Sequence, residues 1–146
     1  MKYIIEYDDK WPGKFQVIAK YLSRYLPDYC IIHHVGSTSI PGMPAKDIID
    51  IDIECPDASI WEVIEALEPA GYKHQGDLGI TSREAFKAAS DEAKELPAHH
   101  LYACERSSPE LFRHIAFRDY LIELPAKAEW LRVQKCQADT VAVSRD

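Results

Sequence analysis

The run Ile49-Asp50-Ile51-Asp52-Ile53-Glu54-Cys55 alternates apolar and acidic residues without a break. Successive side chains of an extended strand point to opposite faces, so the isoleucines and Cys55 share one side and the three acids share the other. Such a strand has one face made for a core. The acidic face has two readings. Alternate acids can simply solubilise a solvated strand. Alternatively, Asp50 and Asp52, about 6.6 Å apart along a strand, can converge on a hard divalent cation above the sheet. Magnesium suits such a pair, because it keeps several waters and takes phosphate oxygens beside one or two carboxylates; manganese favours the same ligands. Glu54 continues this face toward the sheet margin.

Just upstream, residues 33–48 read HHVGSTSIPGMPAKDI. Gly36-Ser37-Thr38 makes a turn whose amides a phosphate can approach closely, since glycine carries no side chain. Pro41, Gly42 and Pro44 keep the rest of this connector turning and non-helical. Lys46 precedes Asp50 by four residues, near enough to help neutralise a triphosphate, although a solvated lysine is the plainer alternative. The acids would hold a metal and the turn a phosphate.

The 146 residues fit one domain spanning 1–146, and a 47% hydrophobic fraction allows a substantial core. A net charge of −7 excludes a general nucleic-acid binder, which needs a basic face. It leaves room for a small anion held by local charge, with Lys46, Arg83, Lys87 and Arg118 as candidates. Cys30, Cys55, Cys104 and Cys136 form no C-x-x-C pair. With no signal peptide and no apolar run of spanning length, the expected setting is the cytoplasm, with no membrane partner.

Around this centre the pattern predicts a short apolar opening at 2–6, then a helix entered through Asp8-Asp9 and Trp11-Pro12, with Phe15, Ile18 and Leu22 on one face. A strand over 30–35 ends in His33 and His34, which point to opposite faces. Ser59-Ile60-Trp61-Glu62 matches a capping box before an apolar stripe of Ile60, Val63, Ile64 and Leu67. A short strand is expected at 72–74, and residues 87–96 read as a mobile flap or a short exposed helix. His100, Tyr102 and Cys104 share one face of a strand over 99–104. Ser108-Pro109 opens a helix with Leu111, Ile115 and Leu121 as core contacts. Pro125 then breaks the chain before a helix over 126–137, and 139–146 reads as a frayed end.

A Gly-Ser turn followed by Asp-x-Asp on a strand resembles the polymerase-beta-type nucleotidyltransferase superfamily. More narrowly, HVGSTSIPGMPAKDIIDIDI is similar to the GrpB family pattern H-[IV]-G-S-T-[AS]-[IV]-P-G-[LM]-x-A-K-P-I-I-D-[IV]. The similarity extends to Tyr7-Asp8-x-x-Trp11-Pro12-x-x-Phe15, to Gly71-Tyr72 through Arg83-x-x-Phe86, to His99-His100-Leu101, and to Phe117-Arg118-Asp119-Tyr120-Leu121. The resemblance implies an α/β (α+β) nucleotidyltransferase-like fold, with a mixed, largely antiparallel sheet and helices packed mainly on one face. It implies metal ligation by Asp50 and Asp52, phosphate binding by Gly36, Ser37 and Thr38, and charge balance from Lys46 and Arg83. Arg118 has two readings, phosphate recognition or an ion pair with Asp119 that orients its helix. The superfamily usually carries a third carboxylate on the strand that holds His100, so His100 is the candidate third ligand or base. Tyr102 stands where many family sequences carry another histidine. Family members commonly continue further, so the chain looks short at its C-terminus.

Three functions follow. The first is a magnesium- or manganese-dependent transfer of a nucleoside monophosphate from a triphosphate to an unknown acceptor. The second is a non-catalytic module binding a nucleotide or nucleotide-derived coenzyme, as fusion of some family members to a dephospho-coenzyme-A kinase implies. The third is a partner-binding protein.

Overall fold

The computed structural model describes the backbone of residues 3–144 and the side chains through residue 137. Its elements are α1 (Trp11–Ser23), β1 (Ile31–Val35), a 3-10 turn (Ser37–Ser39), β2 (Ile49–Cys55), α2 (Ile60–Leu67), β3 (Tyr72–His74), β4 (Arg83–Ala88), α3 (Asp91–Glu95), β5 (His99–Glu105), α4 (Pro109–Glu123) and α5 (Pro125–Ser144). The strands form one sheet in the order β1-β2-β5-β4-β3. Only β2 and β5 run parallel; the other pairs are antiparallel. This is the expected mixed, largely antiparallel sheet.

The alternation in β2 decides the layering. Ile49, Ile51, Ile53 and Cys55 are buried in the main core with Ile18 and Leu22 of α1, Val63 and Leu67 of α2, and Ala93 of α3. Fully burying each isoleucine contributes about 1.5–3 kcal/mol, so this face anchors three helices on one side. The opposite face carries Asp50 and Asp52 and is crossed by α4. That helix begins where Ser108 Oγ accepts a bond from the Leu111 amide, with Pro109 in the first turn. A small second cluster of Ile40, Met43 and Leu121, with Ala128 and Leu131, packs α4 and α5 against the connector.

Several sequence expectations need correction. Residues 83–88 form β4, a strand the local sequence does not announce; of the two readings for 87–96, the short exposed helix is found as α3, while 87–88 belong to β4. Although short, α3 is no loose excursion: Ser90 Oγ accepts from the Ala93 amide and Ala93 is buried. The capping box at Ser59 does not form, because Ser59 makes no side-chain cap and Glu62 instead accepts from the Tyr29 hydroxyl. Leu111 and Leu121 are buried, whereas Ile115 is only half-buried. Helix α5 begins at Pro125 itself and continues through 139–144 of the expected frayed end to Ser144, with 145–146 outside the described residues. The opening over 2–6 lies partly outside them too; within it Ile5 bridges Ala45. No helix among the described residues is long and apolar enough to cross a membrane.

Candidate functional site

Each acid of β2 meets a histidine from a different element. Asp50 Oδ1 lies 3.1 Å from His100 Nδ1 on β5, Asp52 Oδ2 lies 2.5 Å from His114 Nδ1 on α4, and Glu54 Oε1 lies 2.9 Å from His33 Nε2 on β1. The register puts His100 beside Asp50; His33 stands opposite Asp52 and reaches Glu54 diagonally on the same face of the sheet. Glu54 also accepts from Arg106 Nε at 2.9 Å. It is thereby engaged at the sheet margin, as its position in sequence predicts. The other two acids face a cleft.

Gly36 lies against Asp50. Its φ of 74° is the left-handed conformation that side chains disfavour, and a Cβ there would stand 2.5 Å from Asp50 Oδ2. The turn therefore approaches the carboxylate as closely as backbone can. The 3-10 turn that follows leaves its leading amides, those of Ser37 and Thr38, without partners inside the helix. One cavity of about 210 Å³ is lined by Gly36, Asp50, Asp52, Arg83, Tyr102 and His114. A second, of about 260 Å³, is lined by Ser37, Thr38, Lys46, Asp50, His100 and Lys135. Asp50 is a wall of both.

The structure thus brings Gly36, Ser37, Thr38, Lys46, Asp50, Asp52, Arg83 and His100 to one cleft. The Thr38 side chain is buried and bonded to His34 Nε2 at 2.8 Å, so only its backbone is available there. Arg83 lies over the Tyr102 ring with 4.3 Å between guanidinium carbon and ring centroid, a cation–π arrangement at the wall of the cavity that Asp50 and Asp52 also line. Arg118 lines neither cavity. It donates to Asp119 Oδ1 at 2.9 Å and to the His34 carbonyl at 3.2 Å, joining α4 to β1.

Two residues absent from the sequence reading belong to the cleft. His114 carries Asp52 on one ring nitrogen and Glu110 Oε1, at 2.9 Å, on the other. The Asp52 hydrogen bond, reinforced by Glu110, raises its pKa above the ordinary histidine range despite partial burial. Lys135 Nζ on α5 donates to Ser37 Oγ at 2.7 Å and to the Pro44 carbonyl at 2.6 Å; burial lowers its pKa. The i, i+4 spacing of Glu110 and His114 marks one helix face. Nothing in the sequence marks Lys135 among the other lysines.

Two observations test whether these residues fit a cation. Asp52 is fully buried, and its Oδ1 has no hydrogen-bond partner among the described residues. A buried carboxylate oxygen left open is costly unless something positive meets it. Burial also raises the pKa of Asp50 against the pull of His100, so that carboxylate gains from a positive neighbour. No group of three or more His, Cys, Asp or Glu side chains among the described residues forms an enclosing metal cage. Two carboxylates at an open cleft instead fit an ion that takes its other ligands from water and substrate.

Known proteins share the sequence pattern and the fold of this chain. The chain is 36% identical over 136 residues to UPF0157 protein YqkA of Bacillus subtilis, covering 92% of this chain but 38% of that protein. The crystal structure of conserved protein GrpB from Enterococcus faecalis superposes with a TM-score of 0.77 at 29% identity, over 94% of this chain and 83% of that one. The Cid1 poly(U) polymerase with MgGTP bound gives a TM-score of 0.52 at 14% identity, over 81% of this chain and 39% of that one, which shows a shared fold. The family profile described as GrpB protein matches residues 3–142. The chain therefore belongs to the GrpB family, on a nucleotidyltransferase-type fold.

Proposed function

We propose that the protein is a divalent-metal-dependent nucleotidyltransferase that moves a nucleoside monophosphate from a nucleoside triphosphate to an acceptor hydroxyl. The observation that carries this reading is the Gly36–Asp50 contact, which sets a phosphate-binding turn directly against a carboxylate with no room for a side chain between them. Magnesium or manganese held by Asp50 and Asp52 supplies neutralisation of the charge on the transferring phosphoryl group.

The chain's own groups do the rest. The Gly36-Ser37-Thr38 backbone and Ser37 hydroxyl receive the β- and γ-phosphates, while Lys46, Lys135 and Arg83 balance their charge. Attack by the acceptor oxygen on the α-phosphorus breaks its bond to the β-phosphate and releases pyrophosphate. In this reading His100 takes the acceptor proton, a role supported by the Nδ1–Asp50 contact, which with Nδ1–H donating leaves Nε2 a lone pair. A cytoplasmic setting accords with Cys30, Cys55 and Cys104 being free thiols.

A second reading, a non-catalytic nucleotide or coenzyme module, is favoured by one observation. The β5 residues beside Asp50 and Asp52 are His100 and Tyr102, and neither is a carboxylate. One experiment addresses both readings. Thermal shifts are measured with nucleoside triphosphates and coenzyme A, with and without Mg²⁺ or Mn²⁺, on the wild type and on Asp50→Asn/Asp52→Asn. At a ligand concentration about a hundred times its Kd, binding adds about 2.7 kcal/mol. We expect a metal-dependent shift with a triphosphate, lost in the double variant, and pyrophosphate release once acceptors are supplied. Absence of any metal-dependent shift overturns the transferase; a shift with no pyrophosphate from any acceptor selects the binding module.

A further inference from the structure

The sheet opens between β4 and β5. Their pairing ends at Phe86↔Leu101, although β4 continues to Ala88 and β5 begins at His99. In the opening is a cavity of about 500 Å³, larger than either cavity beside Asp50 and within the range of small-molecule sites. It adjoins the proposed reaction centre on two sides: His100 is shared with the cavity at Ser37, and Tyr102 with the cavity at Asp52. Its inner end is closed by a hydrogen bond of 2.7 Å between the Tyr72 hydroxyl and His99 Nε2, while His99 Nδ1 donates to the Pro97 carbonyl at 2.7 Å. With His99 lowered and Tyr72 raised by burial, this floor is polar and uncharged.

The charge around the opening runs against the rest of the molecule. The chain carries 24 acidic residues against 17 lysines and arginines, yet no Asp or Glu among the described residues lines this cavity, whereas Lys87 and Lys94 do. Lys87 also stands directly opposite Lys73 in the β3–β4 pair. Like charges facing each other across a strand pair are destabilising, and a bound anion relieves that repulsion. Tyr102, Phe86 and Leu78 add apolar wall.

We propose that this opening is the acceptor subsite of the transferase described above, and that the acceptor is a small phosphomonoester with an apolar or aromatic body. The lysines hold its phosphate, and the apolar wall turns its free hydroxyl toward His100. This rests on the transferase reading only for the word acceptor; the anion site itself stands or falls separately.

The test uses phenyl phosphate as probe and benzyl alcohol as its uncharged counterpart, followed by imidazole and amide NMR shifts without metal. Phenyl phosphate is expected to saturate while perturbing His99 and His100, to bind at least tenfold more weakly to Lys87→Glu/Lys94→Glu, and to retain its affinity in Asp50→Asn/Asp52→Asn. Benzyl alcohol is expected not to saturate. Perturbation confined to Gly36 and Ser37, unchanged affinity in the lysine variant, or equal binding of benzyl alcohol overturns the subsite. If phenyl phosphate binds as expected while no triphosphate gives a metal-dependent shift, the transferase reading falls and the anion site remains.

Discussion

The two faces of the β1–β2 pair each hold a histidine among close partners, and the two are tuned in opposite directions. On the isoleucine face His34 stacks on Phe15 with 4.8 Å between centroids and bonds to Thr38. Burial, assisted by Arg118, lowers its pKa to about 4 and keeps it neutral. On the aspartate face His114 lies between Asp52 and Glu110, which raise its pKa and favour the imidazolium. The same residue type is therefore a piece of core on one side of the sheet and a counter-ion on the other. One face is held by packing and the other by charge matching.

Substitutions can break that contrast. Ile51→Ala on the packed face should cost about 3 kcal/mol in urea denaturation, with little dependence on pH or salt, because it leaves a cavity among fully buried neighbours. A loss under about 1 kcal/mol would mean that this face is not packed as described. On the charged face, His114→Leu should cost about 2 kcal/mol in metal-free protein, since it leaves the buried Asp52 carboxylate unpaired. That is below the full cost of orphaning a buried ion, because His114 is partly exposed. His114→Gln, which can still donate to Asp52, should recover about half, and equal losses in the two variants would show that His114 acts only by filling space.

The most diagnostic effect is on pH, where each unit of change moves stability by the least. For His34 the folded value lies below the ordinary 6.5, so its contribution is complete above about pH 6.5 and disappears as pH falls toward about 4. For His114 the folded value is raised, so its contribution is complete below about pH 6.5 and disappears as pH rises through the folded value. In His34→Gln the acid-side slope of stability, at most about 1.4 kcal/mol per pH unit for one proton, should flatten. An unchanged acid limb in that variant would remove the distinction between the faces.

Much of this was legible in the sequence. The alternation in β2 dictated both faces, and the Gly-Ser turn with its two acids was readable because residues 36–52 are nearly contiguous. What failed depended on distant partners. The segment Arg-Glu-Ala-Phe-Lys-Ala has no strand-like pattern of its own, and β4 exists because β5 offers a partner on one side and β3 on the other. The capping box at Ser59 failed because Glu62 found the Tyr29 hydroxyl, 33 residues away. His114 is 62 residues from Asp52, and Lys135 is 98 from Ser37. Both arrive on late helices whose docking no local pattern specifies.

The placement of β2 between an early neighbour and a late one has a consequence for folding. Residues 31–55 can pair as β1 and β2 soon after synthesis, but the other edge of β2 waits for β5, fifty residues further along. During that interval a strand with a row of isoleucines has an unpaired edge, the kind of surface that recruits neighbouring chains into aggregates. Asp50, Asp52 and Glu54 put three negative charges along the strand while its edge is open, and like charges on two such strands repel. The acids of the cleft therefore also guard the unfinished sheet, and their replacement by neutral residues is expected to lower the yield of folded protein before it affects the stability of what has folded.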